Sequence, residues 1–298
     1  MKNRIQSGVL LQGLTTFHIG GPADFFLEAR TEQELIEAVS LARSEGIPYF
    51  LLGGGSNLVV SSRGIAGMVI HNRSADPDSI DAGNCLIKVS SGKPLSHLVG
   101  LAYQSGFHGL ESLTGIPGSV GGAIYGNAGA YGTCIGDVLV AADVLDADGR
   151  IRTVDNSFFR FAYRTSYLKS ASGIILNATL KGTPGNREEI LIKMNDIIAQ
   201  RKAKHPPYEV GSAGSFFQNL PPNPGETRRR AAGEVLEKAG AKQLSVGGAS
   251  VYHNHANFIV NYGKATSDDV KQLAVILKEK VMRMFEINLR EEVLYIGK

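Results

Sequence analysis

Cysteine is scarce. Cys85 and Cys134 are the only two in 298 residues. They support no disulfide framework and fit no metal-ligand spacing, so a reducing compartment and no metal are expected. Charge of one sign is also lacking: 31 basic against 28 acidic residues leave a formal net charge of +3, too little for a general nucleic-acid binder. The opening MKNRIQSGVLLQG has no apolar run long enough for a signal peptide. No G-x-x-x-x-G-K-[ST] occurs, which disfavours a Walker-type nucleotidase. With 43% apolar and 20% charged residues, disorder is excluded, and a chain of this length is expected to form two domains with ample cores.

Glycine is what the chain has in excess: 36 of 298 residues, against a usual share of about 7%. Nine of them fall in residues 109–136, and 112–136 carries no charge. Pro117, Asn127, Thr114, Ser119 and Thr133 argue against a membrane span, which needs about 20 predominantly apolar residues. Uncharged, Gly-rich chain in a soluble protein points to backbone packed closely on other chain or on a ligand.

Helices are expected at 31–46, with Thr31 and Glu34 as a capping box, at 94–104, 187–202, 229–239 and 267–285. Strands are expected at 48–52, 58–60, 68–70, 86–89, 138–145, 151–154, 174–180, 258–260 and 293–296, with a hairpin turn at Asp148-Gly149. Without regular βαβ alternation the class reads as α+β. The polar stretch 71–84 marks a subdomain boundary, and His205-Pro206-Pro207 marks a linker. This divides the chain into 1–204 and 205–298, with the last strand a candidate to return to the first domain.

Gly53-Gly54-Gly55-Ser56-Asn57 fails G-x-G-x-x-G because Leu58 stands in place of the third glycine. It remains either a tight turn or a nest of main-chain amides that holds phosphate. Ile116-Pro117-Gly118-Ser119-Val120-Gly121-Gly122, followed by Asn127-Ala128-Gly129, is a second such segment, and two together favour a dinucleotide cofactor. Residues 200–242 hold eight basic and four acidic side chains, which suits an anionic second substrate. The Arg228-Arg229-Arg230 run reads as a solvated helix face. His253 and His255 alternate on an expected strand and are too few for a metal site.

Six blocks then stand in order: Thr16 to Asp24, LLGGGSNLVV at 51–60, GIPGSVGGAIYGNAGAYG at 115–132, Tyr163 to Ser166, Ala213 to Phe217, and Leu289 to Val293. Together, collinear over nearly the whole chain, they resemble the UDP-N-acetylenolpyruvoylglucosamine reductase (MurB) family in its shorter form. The resemblance implies a PCMH-type (vanillyl-alcohol-oxidase-like) FAD-binding domain followed by a smaller α+β substrate-binding domain. It implies non-covalent FAD, NADPH as reductant, and cytoplasmic reduction of UDP-N-acetylglucosamine enolpyruvate to UDP-N-acetylmuramate for peptidoglycan synthesis. A monomer working without nucleic acid or membrane is expected.

By the same resemblance, Gly53, Gly54, Gly55, Ser56, Asn57, Gly115, Ile116, Pro117, Gly118, Ser119, Gly121, Gly122, Asn127, Ala128 and Gly129 would hold FAD. Flavin N5 would deliver hydride, Ser215 the proton, and Arg164 with Glu292 would stabilise the enolate at the substrate carboxyl group. Glu291 is the rival of Glu292. Tyr163, Lys204, Asn219 and His255 are candidates for substrate contact. One departure stands out: Gln218 replaces the family's usual Lys after Ser-Phe-Phe, so either another basic residue supplies the charge facing the diphosphate or substrate affinity differs. The alternatives are a different PCMH-type flavin oxidoreductase and a non-catalytic nucleotide-binding relative.

Overall fold

The computed structural model describes all 298 residues, in two compact units. The first comprises Met1–Ser7, Phe25–Gly54 and Gly67–Arg201; the second comprises Gly8–Asp24, Gly55–Ala66 and Lys202–Lys298. The break after Arg201 lies close to the division read from sequence, but two N-terminal segments join the C-terminal third, and no break falls at 71–84. That polar stretch contains Ser79–Asp81, an exposed edge strand paired with Leu86 to Lys88. Its polarity is that of a sheet edge rather than of a linker.

The first unit is built on a five-stranded antiparallel sheet in the order Ile151–Asp155, Leu139–Leu145, Ile174–Lys181, Leu86–Ser90, Ser79–Asp81. The central strand is buried at every position except Thr179 and Lys181, which is why its apolar residues run together rather than alternate. The hairpin forms at Asp148-Gly149, where Leu145 pairs with Ile151 and Gly149 takes a φ of +80°. Leu95 and Leu98 of the helix Leu95–Gln104 share a core with Ile87, Val89, Val120, Ile124 and Leu180.

The helix Glu32–Ser44 buries Leu35, Ala38, Val39 and Ala42 against Leu27, Met68, Ile70 and Leu176. Each buried Leu or Val contributes about 1.5–3 kcal/mol. Thr31 caps this helix by accepting from the Glu34 amide at 3.1 Å. The Glu34 carboxylate accepts from the Arg30 amide at 2.8 Å instead of from Thr31, so the reciprocal half of the box is displaced by one residue. At the edge of a four-stranded sheet, Tyr49–Leu52 pairs in parallel with Met68 to His71.

The second unit carries a four-stranded antiparallel sheet in the order Gly211–Ser212, Ile259–Asn261, Ala249–Val251, Ser245–Val246. The helix Ser267–Phe285 starts at a Thr266/Asp269 capping box and buries Val270, Leu273, Ala274, Leu277 and Val281, the i, i+3, i+4, i+7 stripe of a core-facing helix. Leu294–Ile296 lies parallel to Leu58–Val60.

Two sequence readings are corrected in this unit. The helix expected at 229–239 is Ala232–Lys238. The residues before it bridge back, Leu220 to Arg230, while Arg229 donates to the Asn219 carbonyl and Arg230 to the Pro221 carbonyl, so the arginine run is not a solvated helix face. His253 and His255 lie in a turn between strands, not on one. No helix is long and apolar enough to cross a membrane.

Candidate active site

In the first unit the strand Tyr49–Leu52 delivers Gly53 and Gly54 directly against Gly118 and Ser119. A Cβ on Gly54 would stand 2.6 Å from Gly118 Cα and 3.0 Å from the Ser119 nitrogen, and one on Gly53 would overlap the Ser119 hydroxyl. The glycines are thus needed for two turns of backbone to touch. Gly121 has the same kind of neighbour: its absent Cβ would lie 2.9 Å from Ser91 Cβ, and its amide donates to the Ser91 carbonyl at 2.8 Å. Gly115 and Gly118 take φ of +73° and +122°, a region that disfavours side chains. Ser119 caps the short helix Val120–Gly126, accepting from the Gly122 amide at 3.3 Å. Ile116 packs on the core below. The result is an uncharged cradle of main chain, with no carboxylate between 112 and 136 to repel phosphate. It fits the dinucleotide that the resemblance implies.

Around it stands a set of left-handed residues: Asn127, Tyr131 and Arg164, with φ of +46°, +52° and +57°. Such conformations cost on the order of 1–3 kcal/mol and concentrate at functional sites. Asn127 is buried; its amide donates to the Ala162 carbonyl at 2.9 Å and its side-chain oxygen accepts from Gly136 at 3.1 Å. Those bonds hold Asn127 as a brace between chain segments. Ala128 accepts from Ile135 at 2.8 Å. Arg164 donates to the Gly129 carbonyl at 2.9 Å and its guanidinium lies 5.5 Å from the centre of the Tyr163 ring. Arg201 lies beside this group, its Cδ where a Gly115 side chain would begin and its guanidinium 5.8 Å from the Tyr131 ring centre. In sequence Arg201 stands only as one of the basic residues of 200–242. A cleft of about 270 Å³ bounded by Val144, Arg152, Phe158 and Tyr167 contains none of the expected site residues.

In the second unit Gly55, at φ +61°, packs on Leu14 and Thr15, and its carbonyl accepts from Thr16. Asn57 donates its side-chain amide to the Glu292 carbonyl at 3.1 Å, and its own carbonyl accepts from Leu294 at 3.0 Å. Ser215 follows Gly214, whose φ is +76°. The Phe216 carbonyl accepts from the Glu292 amide at 2.8 Å, and Phe217 bridges antiparallel to Glu291. Ser215 and Glu292 therefore sit on neighbouring strand-like segments. The clamp on the first segment is Asn257, buried, which accepts from the Phe217 amide at 2.9 Å and donates to the Phe217 carbonyl at 2.8 Å. No local sequence pattern marks Asn257, because its partners lie forty residues away.

Glu291 points its carboxylate to Lys278 at 3.0 Å; burial first, and then this carboxylate, push the Tyr295 hydroxyl far above its usual range. Asn219 accepts at its side chain from the Ala232 amide at 3.2 Å. His255 stacks edge-on with His205 and Phe258, and its Nδ1 accepts from the Asn257 amide at 3.2 Å. Burial, then nearby Lys204, lower the His255 pKa, so the ring is held neutral and Lys204 supplies the positive charge of this patch.

Residues 23–155 match the FAD binding domain family, and residues 206–296 match the C-terminal domain of UDP-N-acetylenolpyruvoylglucosamine reductase. The reductase of that name from Protochlamydia amoebophila is 40% identical over 294 residues, covering 99% of this chain and 94% of the relative. The one from Synechococcus sp. strain JA-3-3Ab is 36% identical over 297 residues, 100% of this chain and 93% of the relative. A crystal structure of the Thermus caldophilus enzyme superposes with a TM-score of 0.80 at 34% identity, covering 99% of each chain.

Proposed function

The chain belongs to the UDP-N-acetylenolpyruvoylglucosamine reductase family, and from that premise we propose that it reduces UDP-N-acetylglucosamine enolpyruvate to UDP-N-acetylmuramate with NADPH, in the cytoplasm, as a step of peptidoglycan precursor synthesis. It is an oxidoreductase with an FAD-binding domain. Gly53, Gly54 and the segment from Gly115 to Gly122 would hold FAD by main chain, with Asn127 bracing the chain at Ala162 and Gly136. FAD, when bound, passes reducing equivalents from NADPH to the enol ether.

The chain's own residues do the rest. Arg164, anchored on the Gly129 carbonyl, presents a fixed guanidinium for the substrate carboxylate, where a planar two-pronged cation suits a planar anion. Negative charge grows on that carboxyl group as the neighbouring carbon gains electrons, so the cation binds the transition state more strongly than the ground state. Ser215 gives its hydroxyl proton to the adjacent carbon. A serine is a weak acid and works only from a fixed position, which the Asn257 clamp on the following residues provides. Glu292 holds a proton at the same carboxyl group. Its rival Glu291 pairs with Lys278 at 3.0 Å. Lys204 and Asn219 are assigned to the sugar nucleotide, Lys204 offering the charge that Gln218 does not, with Tyr163 and His255 lining its path.

The observation that supports the reading is the hydrogen bond from the Glu292 amide to the Phe216 carbonyl at 2.8 Å, which joins the segment following Ser215 to the segment of Glu292. The test is direct. The purified protein should be yellow, and its NADPH consumption should require added UDP-N-acetylglucosamine enolpyruvate. Colourless protein that takes up no FAD, or oxidation of NADPH indifferent to that substrate, sinks the proposal.

A further inference from the structure

His71 is a buried titratable group with no part in the proposed chemistry. The strand Ile65–Asn72 that carries it lies between Pro22–Ala29 and Tyr49–Leu52, and His71 pairs with Leu52, the residue before Gly53. Its ring centre lies 6.1 Å from that of Phe26. The ring hydrogen-bonds the Gly53 main chain in the sense that raises its pKa, so a ring N–H donates and the Gly53 carbonyl accepts. Nδ1 is shut off from water and has no hydrogen-bond partner in the protein, which leaves Nε2 as the donor. Burial, then Arg73, outweigh the pull of Glu28 and Gly53 and lower the His71 pKa, so the ring is neutral and carries a single proton.

Nδ1 is thus a bare acceptor, and it faces a carboxylate: Glu28 Oε2 at 3.7 Å, whose other oxygen accepts from Arg30 at 2.9 Å. As filling for this place a leucine would serve better, since it buries no unpaired lone pair opposite a negative charge. What the histidine alone provides is the bond to Gly53. The Gly53–Gly54 peptide is planar and trans, so a carbonyl held toward the ring turns the Gly54 N–H away from it. Gly53 and Gly54 are the two residues that meet Gly118 and Ser119. We infer that His71 is a positioning residue for FAD: by holding the Gly53 carbonyl, it fixes the peptide plane that presents the Gly54 N–H to the anionic dinucleotide. The inference rests on the reading of Gly53 and Gly54 as part of the FAD cradle, and His71 acts through that turn.

The experiment measures the FAD dissociation constant by equilibrium dialysis of wild-type, His71→Leu and His71→Gln holoenzymes. Urea midpoints are taken with FAD held at the same multiple of each variant's own constant, so that binding contributes equally to every melt. His71→Leu should bind FAD about tenfold more weakly or worse, while its urea midpoint stays level or rises. His71→Gln, whose side-chain amide can donate from near the place of Nε2, should recover most of the affinity. A merely structural histidine gives the opposite pattern, a lower midpoint with an unchanged constant. Should His71→Leu not fold, His71→Met, an unbranched and more adaptable apolar side chain, carries the same comparison.

Wild-type affinity in the leucine or methionine variant overturns the inference. So does a His71→Gln protein that binds FAD as weakly as His71→Leu, because the donated hydrogen bond would then not be what holds the turn. Wild-type protein that binds no FAD defeats the functional reading itself, a separate outcome.

Discussion

Asn57, four residues beyond the first glycine of the 53–57 turn, donates its side-chain amide to the main-chain carbonyl of Glu292 at 3.1 Å. A residue expected to touch the cofactor thus braces the segment that carries the proposed acid. Asn57→Ala removes this bond and one ordinary hydrogen bond is worth about 1 kcal/mol, so the protein should fold and retain FAD. Its kcat should fall about tenfold or more, well beyond what the stability change implies. Steady-state kinetics on flavin-normalised protein check this; an unaltered kcat would separate Asn57 from Glu292.

Ser215→Ala should leave flavin reduction by NADPH intact, since that half-reaction needs no proton donor to the substrate. Reoxidation by the enolpyruvyl substrate should slow by about 10²–10⁴-fold, the usual worth of a positioned general acid. Stopped-flow traces of the two half-reactions decide; equal slowing of both would give the serine another task.

Gly54→Ala should purify largely free of FAD, because the new Cβ would meet Gly118 Cα at 2.6 Å, and backbone on both sides has nowhere to go. Gly100→Ala is the control. It lies in the helix Leu95–Gln104 with nothing within 4 Å of its Cβ position, and should raise stability by about 0.5–1 kcal/mol with full flavin content. Flavin absorbance per protein and melting temperature measure both.

Glu111 gives a pH-dependent prediction. Burial pushes its carboxyl pKa up, but hydrogen bonds from Lys193 at 2.6 Å and from the Gly109 amide at 2.7 Å outweigh burial and leave it below its ordinary value. A carboxylate whose pKa is depressed on folding adds stability above its unfolded pKa, about 4.3, and loses it as pH falls through the folded value. Glu111→Gln should therefore cost about 1–3 kcal/mol at pH 7, with the gap from wild type closing below about pH 4. Denaturant melts at several pH values test this; a gap that widens on acidification contradicts it.

Local physics made much of the fold legible. The stripe and capping residues of Ser267–Phe285 state that helix without ambiguity, and Asp148-Gly149 states its hairpin, because each signal lies within a few residues of what it controls. The glycine segments were legible as places of close approach, but not what they approach: Gly121 meets Ser91, thirty residues earlier, and Gly54 meets Gly118. His253 and His255 mimic strand alternation in a turn, since a two-residue pattern cannot tell the two apart. Asn257 and Arg201 were invisible for a common reason. The importance of each lies in partners far along the chain, and neither belongs to a motif.

The parallel pairing of Leu294–Ile296 with Leu58–Val60 joins chain segments more than two hundred residues apart, and Glu292 lies two residues before it. Contacts of such separation are entropically late to form during folding. The segment that carries the proposed acid is therefore placed by a pairing that closes one of the long loops of the second unit. On the proposed role of Glu292, a polypeptide cut short of residue 292 should show no turnover, so that activity would report the completion of this late pairing.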